Sequence, residues 1–283
     1  GSYSYARNAG APGGVSDEFN YTIKDSDGDT SSSTLTISLG DNTPVLLDLT
    51  PSSSGGDVTV YENALADGSN PSSTAETATG SFKVTSADGI ASLTVGGTDI
   101  FPGGVFKTAT ITTPLGNTLS ITGYDPVTGE IKYSYTLLDN EAHAAVQGAN
   151  DLFEDFAVVL KDQDGDVSNG SLSVKIVDDV PTANADTDSI AVGQTTPATG
   201  NVLSGLDSST GDSNTTDGVA DTKGADTPVV GSSVTATTAS GSATAVSASG
   251  DTVVSGKYGV LTIHADGSYS YARNAGAPGG VSD

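Results

Sequence analysis

Phe156-Ala-Val-Val-Leu-Lys-Asp162-Gln-Asp164-Gly165-Asp166, followed by Leu172, Val174, Ile176, Asp178 and Pro181, decides how the rest of the chain is read. The same pattern stands earlier as Phe19-Asn-Tyr-Thr-Ile-Lys-Asp25-Ser-Asp27-Gly28-Asp29, followed by Leu35, Ile37, Leu39, Asp41 and Pro44. Paired positions are 137 residues apart throughout, so no insertion breaks the register. A fixed recurrence of this length is the mark of tandem modules. In the first copy apolar residues alternate with polar ones on either side of the turn. That is the period of a strand with one buried and one wet face.

A second, shorter repeat frames the chain. Residues 1–17, GSYSYARNAGAPGGVSD, recur without a difference as residues 267–283. Either a longer protein repeats a unit of about this length nearly verbatim, or the chain was cut with an overlap. The first reading is preferred, and the chain, which begins at Gly1 without a signal peptide, is expected to be a piece of something longer.

The modules follow from these two repeats. Residues 1–43 hold about three strands, too few to bury a core alone, and read as the closing part of a β-sandwich module. Residues 44–180 read as one complete module. It opens on Val58 and Val60, ending in Glu62-Asn63, and continues through Phe82, Val84, Ile111, Leu119, Ile121, Ile131, Tyr133, Tyr135 and Leu137. Tyr124-Asp-Pro-Val-Thr-Gly129 is a turn, and the Ala-rich stretch Asp139–Gln147 is the one helix candidate. Residues 181–283 read as the opening part of a third module that stops before its own DxDGD hairpin. Residues 18–43 of a neighbouring chain would complete it by strand addition at a sheet edge.

Composition narrows the function. The formal net charge is −25, from 35 acidic and 10 basic residues. Nucleic acid is a poor partner, because neutralising phosphate needs Lys and Arg, and an anionic membrane surface is equally poor. Charge keeps a long chain soluble, and clustered carboxylates attract divalent cations. Cysteine is absent, so no disulfide and no thiol chemistry arises. No apolar run reaches the length of a membrane span. Catalysis is not expected: no nucleophile elbow, P-loop or dinucleotide fingerprint occurs. The acids sit on turns and linkers, and no tryptophan offers a platform for sugar. His143 and His264 have no partner at metal-ligand spacing, and His264 reads as an exposed strand residue.

In DxDGD three carboxylates stand at i, i+2 and i+4. A hard Ca2+ ion takes six to eight oxygens in a flexible shell, and a Gly-containing turn can fold oxygens around one. The loop is not an EF-hand, since Thr36 or Ser173 stands where that motif carries Glu. The plain alternative is an Asx-rich turn. The recurrence, with Asp41-Asn42 and Asp178-Asp179 flanking prolines, favours the ion. In a Greek-key sandwich the closing hairpin tip lies where the chain enters. Asp162, Asp164 and Asp166 are therefore expected to approach Asp41, with Glu62 from the opening strand as a further candidate. The candidate ligands are Asp25, Asp27, Asp29, Asp41, Glu62, Asp162, Asp164, Asp166, Asp178 and Asp179, with Ca2+ as the cofactor. Asp178, Asp179, Asp186 and Asp188 belong to the second joint, whose partnering hairpin tip would lie beyond residue 283, so the first joint is expected to be the better ordered.

Ala183-Asn-Ala-Asp-Thr-Asp188, Gly200-Asn-Val-Leu203, Gly259-Val-Leu-Thr-Ile-His-Ala-Asp-Gly-Ser-Tyr-Ser-Tyr271 and Phe19–Asp29 resemble the repeats of giant bacterial surface adhesins. These are the VCBS and Bap-like modules of RTX adhesins exported by type I secretion. The resemblance implies all-β, Ig-like or cadherin-like sandwiches in tandem, joined by short acidic linkers with calcium at the joints. It implies an extracellular stalk on a bacterial cell surface that projects a distal binding domain for adhesion or biofilm formation. Its partners would be neighbouring repeats, with head-to-tail self-association. A full cadherin joint motif is absent, and nothing matches the family's ligand-binding tip, anchor or secretion signal. The competing reading is that the modules bind surface polysaccharide or each other. Tyr3, Tyr5, Tyr269 and Tyr271 are then the candidate platform, although their alternation fits core packing equally well.

Overall fold

The computed structural model describes residues 1–8, 11–144, 148–207, 218–226, 234–236 and 241–283. The described residues are all-β, with three short 3-10 turns and no α-helix. The chain forms two compact units. The first comprises residues 1–65 and 72–178; the second comprises residues 66–71 and 179–283.

The described residues of the first unit form twelve strands. They are β1 (Ser16–Lys24), β2 (Thr30–Ser38), β3 (Val45–Leu47), β4 (Val58–Tyr61), β5 (Thr77–Thr85) and β6 (Ile90–Val95), then β7 (Thr98–Asp99), β8 (Ala109–Thr112), β9 (Thr118–Asp125), β10 (Glu130–Thr136), β11 (Asp151–Asp162) and β12 (Val167–Val177). One five-stranded sheet runs β3-β5-β10-β9-β8, and a second runs β4-β12-β11-β6-β7. Their inner faces meet: the Tyr135 and Phe156 rings, one from each sheet, lie 6.4 Å apart. The period-two pattern puts Phe82, Val84, Leu119, Ile121, Ile131 and Tyr133 of the first sheet inside. From the second come Val60, Leu93, Val158, Leu160, Leu172, Val174 and Ile176. Tyr135 carries its hydroxyl into this core, where it donates to Glu154 Oε2 at 2.7 Å. The module opens on β3, ahead of the strand expected at Val58, and β4 lies parallel to the closing strand β12, from Val174 against Val58 to Val177 against Tyr61.

The hairpin β1–β2 makes its own two-stranded sheet. The alternation of Phe19, Tyr21 and Ile23 predicts a buried face, and here the structure differs. These three side chains are exposed, Ile23 by 63%. The reason is topological: among the described residues β1 pairs only with β2, and no second sheet is laid over it. The helix expected at Asp139–Gln147 is also absent over residues 139–144, which are irregular, while residues 145–147 lie outside the described set.

The second unit carries β13 (Ala198–Asn201), β14 (Leu206–Asp207), β15 (Thr235–Ala236), β16 (Thr244–Ala245), β17 (Thr252–Ser255), β18 (Gly259–Ile263) and β19 (Ser268–Arg273). One antiparallel sheet runs β14-β13-β19-β18-β17, with β15 and β16 paired separately. Among its described residues a core cluster forms from Ala236, Val246 and Ile263, backed by Val202, Val234, Val254, Leu261 and Tyr269. Beside this sheet lies a groove of about 570 Å³ lined in part by Ile190, Val254, Tyr258, Leu261 and Tyr271.

Candidate metal centre

The two DxDGD turns have the same backbone. Gly28 and Gly165 both take φ 111°, a conformation that favours glycine. Asp25 Oδ1 accepts from the N–H groups of Gly28 and Asp29, at 3.0 and 2.8 Å. Asp162 Oδ1 accepts from Gly165 and Asp166, at 3.0 and 2.7 Å. Each turn also closes by a backbone bond, Asp25 N–H to Asp29 O at 3.0 Å and Asp162 N–H to Asp166 O at 3.1 Å. The local sequence thus builds one object twice. In both copies one carboxylate oxygen from each of the three aspartates lies within 4.8 Å of the others.

The surroundings of the two turns differ. Asp25, Asp27 and Asp29 are all exposed. Asp162 is 1% exposed, and its Oδ2 is buried without a hydrogen-bond partner. Asp41, on the linker after β2, reaches the second turn. One oxygen each of Asp41, Asp88 and Asp164 falls within 4.8 Å of the others. The strap ahead of β1 completes the contact, since Gly13 N–H donates to Asp164 Oδ2 at 2.7 Å. A Cβ at Gly13 would lie 2.6 Å from Asp41 Oδ1 and 3.0 Å from Asp164 Oδ2, so a side chain there would displace the carboxylates.

Electrostatics reflect this crowding. Loss of solvent pushes Asp41 above the usual carboxylate range, and repulsion from Asp164 and Asp166 adds to it. Burial pushes Asp162 up as well, and repulsion from the Asp164 carboxylate adds to the rise. Asp164 is held down instead, and the Gly13 N–H donates to it. In the exposed first turn, Asp25 is instead lowered.

Asp88 is a participant that sequence reasoning missed. It is fully buried, paired with the Arg7 guanidinium, and accepts from Asn42 N–H at 3.2 Å. Its signal was an Asp-Gly pair between two apolar runs, which reads as a turn and nothing more. With its oxygens engaged by Arg7 and Asn42, Asp88 serves to pin the strap and the linker beside the carboxylates.

The remaining candidates lie elsewhere. Glu62, expected near the DxDGD tip, instead groups with His143 and Asp178. His143 has a buried side chain and meets Glu62 Oε1 through Nε2 at 3.1 Å. Eighty-one residues separate the two, so no local spacing could reveal the pair. Asp179 is buried in the second unit and accepts from Ser69, through N–H at 2.7 Å and Oγ at 2.6 Å. His264 is part exposed beside Asp251. Among the tyrosines, Tyr3 is exposed, Tyr5 lies edge-on to Phe19, and Tyr269 packs on the second unit's core and donates to Asp188 at 2.8 Å.

No family model matches this chain, and no curated protein matches it. Among solved structures it is similar to the Bacteroides ovatus SGBP-B of the mixed-linkage glucan utilization locus, in complex with a mixed-linkage heptasaccharide. The identity is 12%, the TM-score 0.17, and the match covers 87% of this chain and 56% of that one. The chain thus spans a little over half the length of that structure, and a likeness so slight carries no argument about fold or ligand. No helix among the described residues is long and apolar enough to cross a membrane.

Proposed function

We propose that the chain is a run of extender modules from a large bacterial surface adhesin, Ig-like or cadherin-like sandwiches that resemble VCBS and Bap-like repeats of RTX adhesins. Calcium at the joints stiffens them, and they act outside the cell to hold a distal binding domain away from the surface. The observation that carries this reading is the second DxDGD turn. Its buried Asp162 oxygen has no partner, and Asp41, ahead of the module, closes on Asp164. The donors are all oxygen, and they come from carboxylates, which suits a hard divalent cation. Asp41, Asp162, Asp164 and Asp166 would hold it. Bound calcium would supply the positive charge that offsets their mutual repulsion and would tie the linker to the hairpin tip.

The test is small-angle scattering and thermal melting of the whole chain in calcium and in chelator. A longer maximum dimension and a higher melting temperature in calcium are expected. Equal extension and equal melting in both conditions reject the reading.

The hairpin favours a second role, self-association. Phe19, Tyr21 and Ile23 form an uncovered apolar face. The segment ahead of it, residues 1–17, is identical in sequence to residues 267–283, which run from β19 into the lining of the second unit's groove. The two copies share local bonds: Tyr5 Oη donates to Asp17, and Tyr271 Oη to Asp283; Arg7 donates to Ala11 O, and Arg273 to Ala277 O. A hairpin of this sequence, from a second copy of the chain, would therefore enter the groove in a defined register and cover its apolar lining.

A further inference from the structure

We propose that Glu62, His143 and Asp178 form a second metal site, built for a borderline divalent transition ion of the Zn2+ class rather than for calcium. The three residues arrive from separate parts of the first unit. Glu62 begins the 3-10 turn Glu62–Ala64 after β4, Asp178 follows β12, and His143 lies on the irregular segment after β10. One ligand atom from each falls within 4.8 Å of the other two. The parallel pairing of β4 with β12 ends at Val177 and Tyr61, which sets Glu62 and Asp178 side by side.

The imidazole decides the chemistry. The His143 side chain is 4% exposed, and Glu62 is completely buried. One ring nitrogen, Nε2, is engaged by Glu62 Oε1, while Nδ1 is buried with no hydrogen-bond partner. A buried half-satisfied imidazole between two carboxylates is costly in a folded core. A cation bound there would use the imidazole and offset the carboxylate repulsion at once. Imidazole with carboxylate is a donor set for Zn2+ and its neighbours, whereas Ca2+ takes oxygen alone. The carboxylates are already held in place: Glu62 Oε1 accepts from Glu141 N–H at 2.6 Å, and Asp178 Oδ2 from the Asn150 amide at 3.2 Å. Such supporting hydrogen bonds are what orient metal ligands.

This site goes beyond the calcium reading and is independent of it. The test titrates Zn2+ into the whole metal-free chain by calorimetry, in a background of saturating Ca2+, which leaves the oxygen-only cluster occupied or irrelevant. Zn2+ binding at one site is expected, weakened tenfold or more in His143→Gln and unchanged in His264→Gln. Equal affinity in wild type and His143→Gln, or loss of Zn2+ binding in excess Ca2+, overturns the proposal. Should His143→Gln fail to fold, zinc-edge X-ray absorption on the wild-type chain decides. Imidazole scattering around the ion is expected, and its absence overturns the proposal.

Discussion

Asp162 accepts in its turn the same pair of backbone N–H groups that Asp25 accepts 137 residues earlier, yet Asp162 is buried and Asp25 lies open to water. One motif thus exists in two electrostatic states within one chain. The difference comes from what packs on the turn: Asp41, the Gly13 N–H and the Arg7–Asp88 pair surround the second copy only.

Calcium should therefore act through the second turn. At a free concentration a hundredfold above Kd, a bound ion stabilises the folded state by about 2.7 kcal/mol, or roughly 5–10 °C for a unit of this size. Differential scanning calorimetry should show this rise in the wild type and in Asp25→Asn. Asp162→Asn and Asp164→Asn should lose it. A calcium response that survives Asp162→Asn would place the ion elsewhere.

Asp41 should change sign with the metal. Its folded pKa lies above the ordinary value of 3.8, so without metal the folded state binds more protons than the unfolded one between those two values. Metal-free stability should then fall as pH rises through that window, and Asp41→Asn should flatten the dependence and raise the melting temperature near neutral pH. In calcium the same substitution should lower it. Melting curves across pH 4–7.5, in chelator and in calcium, read both signs.

The core and the hairpin should answer differently to truncation. Phe82 is fully buried between the sheets, and Phe82→Ala should cost about 3–5 kcal/mol in urea unfolding. Ile23→Ala removes an exposed side chain and should leave monomer stability within about 0.5 kcal/mol. A large loss from Ile23→Ala at low protein concentration would mean that the hairpin face is covered within the chain.

Self-association should run through that face. Sedimentation velocity at increasing concentration should show growing assemblies for the wild type. Phe19→Asp with Ile23→Asp should leave a monomer with unchanged circular dichroism. Assemblies that persist in the double variant would exclude the hairpin as the contact.

The buried phenol offers a polar counterpart. Tyr135→Phe deletes the donor to Glu154 Oε2, leaving a buried carboxylate oxygen short of a bond, at a cost of about 1–3 kcal/mol. Denaturant midpoints measure it.

What the sequence made legible was local or periodic. Alternation found Phe82, Val84, Ile131, Tyr133 and Tyr135 on a buried face, and the spacing of Asp, Gly and Asp found two turns that fold alike. The approach of Asp41 to Asp164 followed from chain path, since a closing hairpin returns to where its module begins. Glu62 failed the same reasoning, because β4 carries it beside Asp178 instead. Asp88 and His143 were out of reach, for their partners Arg7 and Glu62 are 81 residues distant in each case. The exposed face of β1 was misread for a related reason: alternation reports that a strand has an apolar side, but only topology says whether anything lies on it.

The pairing of β4 with β12 has a mechanical consequence. These strands run in the same direction, from Val58 against Val174 to Tyr61 against Val177. Tension that enters ahead of β4 and leaves beyond β12 pulls the two strands past each other along their length. The hydrogen bonds of the ladder are then strained together rather than unzipped one at a time. Resistance to pulling would thus be built into the order of the strands, at the same end of the ladder where Glu62 and Asp178 stand side by side.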